Sequence, residues 1–266
     1  MPTSLHSTAL DDLGTGKAVV LLHGFPFNRS MWSDQIEFLS AHGYRSIAPD
    51  LRGLGENRSD DEVATMEDMA RDVAALMDEL KIDRAIIGGL SMGCYVAFEF
   101  IRLFPSRVRA LVLAGARAEG ADKAEKKSRE QQAKRVLEQG MTHAIDSILQ
   151  SLLSPRTVAE KPDVVSRVRE MVASTDPRGA AAAQRGMAVR RDYRDDLPNI
   201  SAPTLITAGH EDGVRKPIDA GSIQQGIENS RLEVIDKAGH LMNMEQPERF
   251  NQVLLEFLKS VTEARP

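Results

Sequence analysis

The chain has one cysteine, Cys94, among its 266 residues. A single thiol excludes an internal disulfide and suits a reducing compartment, so a cytoplasmic location is expected. There is no cysteine cluster and no zinc-like ligand spacing, which leaves no metal site and no cofactor indicated. No run approaches the roughly 18 consecutive apolar residues that a membrane-crossing helix needs. The opening residues Met1-Pro2-Thr3-Ser4-Leu5-His6 lack the charged-then-apolar order of a secretory leader. With no apolar run of that length a membrane is not an expected partner, and a net charge of −5, small for this length, makes nucleic acid an unexpected one as well. Internal repeats and low-complexity linkers are absent too. What remains is ordinary for a globular protein: 42% hydrophobic and 27% charged residues, enough for one large α/β domain with room for an insertion.

The most informative stretch is Gly89-Leu90-Ser91-Met92-Gly93. It follows the apolar run Arg84-Ala85-Ile86-Ile87-Gly88 and leads into the helical run Cys94-Tyr95-Val96-Ala97-Phe98. Strand, tight turn, serine and helix is the context of a nucleophile elbow, whose glycines let a strained serine sit where bulkier neighbours would collide. An ordinary strand–helix turn with a capping serine is the plainer alternative. Cys94 falls in the first helical turn and is expected to point into packing, not to act as a nucleophile.

The order serine, acid, histidine is then expected along the chain. Ala202 to Gly209 reads as a strand, followed by the polar loop His210-Glu211-Asp212-Gly213. The strand Leu232-Glu233-Val234-Ile235 runs into Lys237-Ala238-Gly239-His240-Leu241. Asp212 is the candidate acid and His240 the candidate base. A serine hydroxyl attacks an ester only when an imidazole takes its proton, and a carboxylate must hold the imidazole tautomer. Glu211 is the rival acid. His210 lies too close to the acid to be the base, while His6, His42 and His143 have no motif around them. The strand Ala110 to Ala114 is followed by no carboxylate until Glu119, which favours Asp212. For the oxyanion hole the candidate donors are the backbone N–H groups of Met92 and Phe25, the latter in His23-Gly24-Phe25-Pro26 after the strand Ala18 to Leu22. Pro26 has no N–H. His23 is expected to prop that loop. Trp32 and Leu241 are expected to wall the substrate pocket.

Strands and helices alternate through residue 114, the pattern of a parallel sheet covered on both faces. Thr65-Met66-Glu67-Asp68 reads as a capping box, and Met66, Met69, Val73, Leu76 and Leu80 repeat at helical spacing. A helix is expected from Pro247, with Phe250, Val253, Leu254, Phe257, Leu258 and Val261 as its buried stripe. Residues 117–198 break the alternation and read as an inserted helical cap, with residues 1–116 and 199–266 forming the core. The cap holds 16 Lys and Arg against 13 Asp and Glu. A positive lid could draw an anionic substrate, although a solvated helical face explains the charges as well. Arg185, Arg190 and Arg191 are the cap residues to test first for a carboxylate contact.

Together these pieces resemble the α/β-hydrolases, in particular 3-oxoadipate enol-lactonases, small carboxylesterases and cofactor-free haloperoxidases or perhydrolases. The matching segments are His23-Gly24-Phe25-Pro26 with Trp32, Pro49-Asp50-Leu51-Arg52-Gly53, the serine pentapeptide, Gly209 to Asp212, and Gly239-His240 through Glu245-Gln246-Pro247. The resemblance implies Ser91 as nucleophile, Asp212 as acid, His240 as base, the Phe25 and Met92 amides as oxyanion hole, no cofactor, and a small ester or lactone as substrate. Cys94 departs from the pattern, since a further glycine usually stands there. Alternatives that keep the same residues are perhydrolysis, carbon–carbon bond hydrolysis, or a non-enzymatic ligand receptor on the same fold. Haloalkane or epoxide chemistry would want a carboxylate in place of Ser91. Nothing in the sequence sets the oligomeric state.

Overall fold

The computed structural model describes residues 9–263, so His6 lies outside the described residues. Among these residues seven strands form one sheet: β1 (Leu10–Leu13), β2 (Lys17–Leu22), β3 (Tyr44–Pro49), β4 (Ala85–Leu90), β5 (Val108–Ala114), β6 (Thr204–Gly209) and β7 (Ser230–Ile235). Their spatial order is β1-β3-β2-β4-β5-β6-β7. Every neighbouring pair is parallel except β1 with β3, which is antiparallel. β1 has no apolar run. Its sequence is Leu10-Asp11-Asp12-Leu13, and pairing with β3, not burial, defines it.

Among the described residues eleven α-helices accompany the sheet: α1 (Ser33–Ala41), α2 (Met66–Glu79), α3 (Met92–Leu103), α4 (Lys123–Gln139), α5 (Ile145–Leu152), α6 (Pro155–Glu160), α7 (Pro162–Ser174), α8 (Pro177–Ala188), α9 (Pro217–Gly226), α10 (Met242–Glu245) and α11 (Pro247–Glu263). The sheet is covered on both faces, as parallel strands without polar alternation require. Val20 and Leu22 of β2 pack into one core with α2, α3 and α9. Val19 and Leu21 pack into the other with α1 and α11. The Thr65–Asp68 capping box forms as the sequence suggests, Thr65 Oγ1 accepting from the Asp68 amide at 3.0 Å. α11 begins at Pro247 and buries Phe250, Val253, Leu254, Phe257 and Leu258.

Helices α4 to α8 stand between β5 and β6 with no strand among them. They lie over the carboxyl edge of the sheet, touching the loops that leave it. Thr175 Oγ1 donates to the Pro26 carbonyl at 2.7 Å. α8 meets the segment after β3 through two glycines. A Cβ on Gly179 would fall 1.6 Å from the Gly53 carbonyl oxygen, and one on Gly186 would fall 1.7 Å from that of Ala64. The Ala64 amide donates to Ala182 at 3.1 Å, and the alanine run of α8 is buried there.

Candidate active site

β4 ends at Leu90 and α3 begins at Met92, leaving Ser91 to make the whole turn. Its backbone sits at φ 55°, ψ −109°, a conformation L-residues avoid. The pentapeptide's glycines make the turn possible. A Cβ on Gly89 would lie 2.3 Å from the Gly93 backbone, and one on Gly93 would lie 2.1 Å from the Leu22 carbonyl oxygen. The Ser91 amide donates to the Ala114 carbonyl at 2.9 Å, which ties the turn to the end of β5.

His240 follows β7 and is buried. Its Nδ1 donates to Asp212 Oδ2 at 2.7 Å, since an ionised carboxylate can only accept. Asp212 Oδ1 accepts from the amides of Val214 and Arg215, both at 2.8 Å. The acid is thereby held from both oxygens, and the proton on Nδ1 leaves Nε2 with a lone pair. Nε2 is buried and has no hydrogen-bond partner among the described residues. The imidazole packs against Gly115, the residue after Ala114 to which Ser91 is tied. Ser91 is thus tied to the last residue of β5, and the His240 ring lies on the residue after it, with no hydrogen bond between the two side chains; catalytic bonds of this kind often tighten only around substrate.

Glu211 is exposed and makes no such contact. His210 is exposed, its Nδ1 3.9 Å from Asp236. His42 and His143 are exposed and bonded to carbonyls of their own turns. His23 is fully buried. Its Nδ1 donates to the Gly24 carbonyl and its Nε2 accepts from the Leu51 amide, both at 2.9 Å, so it props the loop that carries Phe25. Burial pushes its pKa down, against the opposing pull of Asp50. The amides of Phe25 and Met92 donate no hydrogen bond among the described residues. Met92 is the first residue of α3, where an amide has no intrahelical partner.

Trp32 is 1% exposed and packs on Phe250 with centroids 6.1 Å apart, and Leu241 is fully buried, as is His240 itself. The carboxylate contact considered for the cap arginines needs correction. The three cap arginines are already paired: Arg185 with Glu130, Arg191 with Asp196, and Arg190 with Glu125. The Glu125 carboxylate also accepts from Arg117 and Arg129. Burial alone would raise its pKa, but the Arg190 and Arg129 contacts outweigh it and hold Glu125 well below the usual carboxylate range. Cys94 is buried with its thiol directed to the carbonyls of Gly89 and Ala114, and burial pushes its pKa far up, so it is no nucleophile.

Sequence reasoning passed over the buried carboxylates Asp50 and Glu245. Asp50 accepts from the amides of Arg29 at 2.7 Å and Glu56 at 2.8 Å, and pairs with the Arg29 guanidinium. Glu245 organises the loop that carries His240. Both lie in segments that carried the family resemblance, and that was their only signal.

A family model described as the alpha/beta hydrolase fold matches residues 17–247. Two 3-oxoadipate enol-lactonases of Acinetobacter baylyi are similar: one is 31% identical, covering 92% of this chain and 89% of its own, the other 29% identical, covering 91% and 88%. Among solved structures, a malate-bound thermophilic esterase from Thermogutta terrifontis is 41% identical with TM-score 0.93, covering 95% of this chain and 93% of its own. The enol-lactonase of Burkholderia xenovorans is 26% identical with TM-score 0.87, covering 94% and 95%.

Proposed function

Because the chain belongs to the α/β-hydrolase fold family, we propose that it is a serine hydrolase that cleaves small carboxylic esters or lactones through Ser91, His240 and Asp212. The observation that carries this reading is the buried Asp212–His240 pair with Nε2 unpartnered, its ring lying on Gly115, whose neighbour Ala114 accepts from the amide of Ser91 in its strained turn. The names of the relatives, enol-lactonases and an esterase, support the substrate class.

In the proposed reaction His240 Nε2 takes the Ser91 proton as Oγ attacks the substrate carbonyl carbon. Asp212 keeps the other proton on Nδ1 and stabilises the imidazolium. The carbonyl oxygen becomes an oxyanion, received by the amides of Phe25 and Met92. Collapse breaks the bond to the leaving oxygen, which takes the proton from His240. Water, deprotonated by His240, then attacks the acyl-enzyme and frees the acid and Ser91. Residues 117–198 act as a cap that excludes water and shapes the acyl pocket.

The test is Ser91→Ala, assayed on p-nitrophenyl esters of increasing chain length and on simple lactones including an enol-lactone. Loss of the nucleophile is expected to lower kcat by roughly 10⁴-fold or more. A folded variant that keeps most of the activity ends the proposal. Peracid formation, measured in parallel, separates perhydrolysis from hydrolysis.

A further inference from the structure

Glu245 is fully buried, and both its carboxylate oxygens are committed. Oε1 accepts from the amides of Gly239 at 2.9 Å and Leu241 at 3.2 Å, the two residues that flank His240. Oε2 accepts from the amide of Ser154, the N-cap of α6, at 2.8 Å and from the hydroxyl of Thr157 in α6 at 2.7 Å. Four donors fill the acceptor capacity of one carboxylate. Its own carbonyl accepts from Lys161 of the insertion.

The same two segments also touch directly. The His240 amide donates to the Leu152 carbonyl at 2.7 Å. A Cβ on Gly239 would fall 2.6 Å from the Ser154 nitrogen and 2.8 Å from the Leu152 oxygen, so backbone lies on backbone. On its other side, a Cβ on Gly209 would fall 1.9 Å from the Gly239 carbonyl oxygen. The loop of the base is thus clamped between the end of β6 and the insertion.

We infer that Glu245 is a positioning residue that locks the His240 loop and residues 152–157 into one rigid unit, so that the placement of the base depends on the docking of the inserted helices. This inference rests on His240 being the base. A carboxylate holding both neighbours of an imidazole sets where its ring lies, and displacement on the order of 1 Å at a reacting group costs about 10²-fold in rate. The amide of a glutamine cannot replace it, because its NH₂ would face the Ser154 N–H, donor against donor.

The experiment compares wild type, Glu245→Gln and Thr157→Val by kcat, KM and the rate at which a fluorophosphonate probe labels Ser91. For Glu245→Gln, kcat and the labelling rate are expected to fall at least roughly tenfold while KM changes less than about threefold. Hydrogen exchange at residues 239–241 is expected to accelerate. A merely structural role would lower the unfolding midpoint and leave the labelling rate of the folded protein unaltered, and a rate within about twofold of wild type overturns the inference. If Glu245→Gln does not fold, Thr157→Val decides. A fall in labelling of about two- to fivefold with KM held supports the coupling, and a rate equal to wild type overturns it. Failure of the wild type itself to label would instead remove the serine-hydrolase reading.

Discussion

The imidazole of His240 rests on Gly115: a Cβ at that position would stand 2.8 Å from Cε1 and 3.1 Å from Nδ1. Gly115 also has φ +59°, so its backbone favours glycine as well. The residue after β5 therefore serves as the floor for the ring. Gly115→Ala is expected to lower kcat by at least roughly tenfold, because the ring must shift, with about 1 kcal/mol of stability lost to the left-handed backbone. Kinetics and chemical denaturation on the same preparation check both.

Asp212 and Glu211 are neighbours with opposite fates, and two variants separate them. Asp212→Asn keeps the shape but no longer holds the proton on Nδ1, so kcat is expected to fall by about 10⁴-fold. Glu211→Gln, on an exposed side chain, is expected to stay within about twofold of wild type. Comparable losses in both variants would contradict the role given to Asp212.

Acid should weaken the fold through His23. Its pKa when folded lies below the ordinary 6.5, so as pH falls the unfolded chain takes up a proton before the folded one does. The stability His23 supplies is complete above about pH 6.5 and is lost progressively below it. Denaturation midpoints between pH 7 and 5 should decline for wild type. His23→Asn is expected to start lower at pH 7 and to decline less over that interval.

The α2 capping box offers a purely structural check. Thr65→Ala removes the acceptor for the Asp68 amide and is expected to cost about 1 kcal/mol of stability. Activity per folded molecule should not change.

Much of the fold was legible because the strands of a parallel sheet are continuous apolar runs punctuated by glycine and polar loops. β2, β4, β5 and β6 show this plainly, and the serine pentapeptide marks its own turn. β1 was not legible, because two aspartates sit in a four-residue edge strand that only its partner identifies. Sequence alone leaves Asp212 and Glu211 side by side in one loop, whereas in the structure two amides and an imidazole contact Asp212. The cap arginines misled for a related reason. Charge is visible in sequence, but the pairing of Arg190 with Glu125, 65 positions away, is decided by how α4 packs on α8. Trp32 lies near the Phe25 loop in sequence, but its packing on Phe250 of α11 could not be read there. Glu245 shows the same limit, since its meaning depends on Ser154 and Thr157.

Sealing the sole sulfhydryl beneath the serine turn has a practical side. A chain whose native thiol cannot be reached by alkylating or disulfide-forming reagents is already a clean background for labelling. One surface substitution, Lys127→Cys on α4 for instance, would carry a fluorophore or spin label as the single reactive position, so the motion of the inserted helices could be followed with the protein otherwise unaltered.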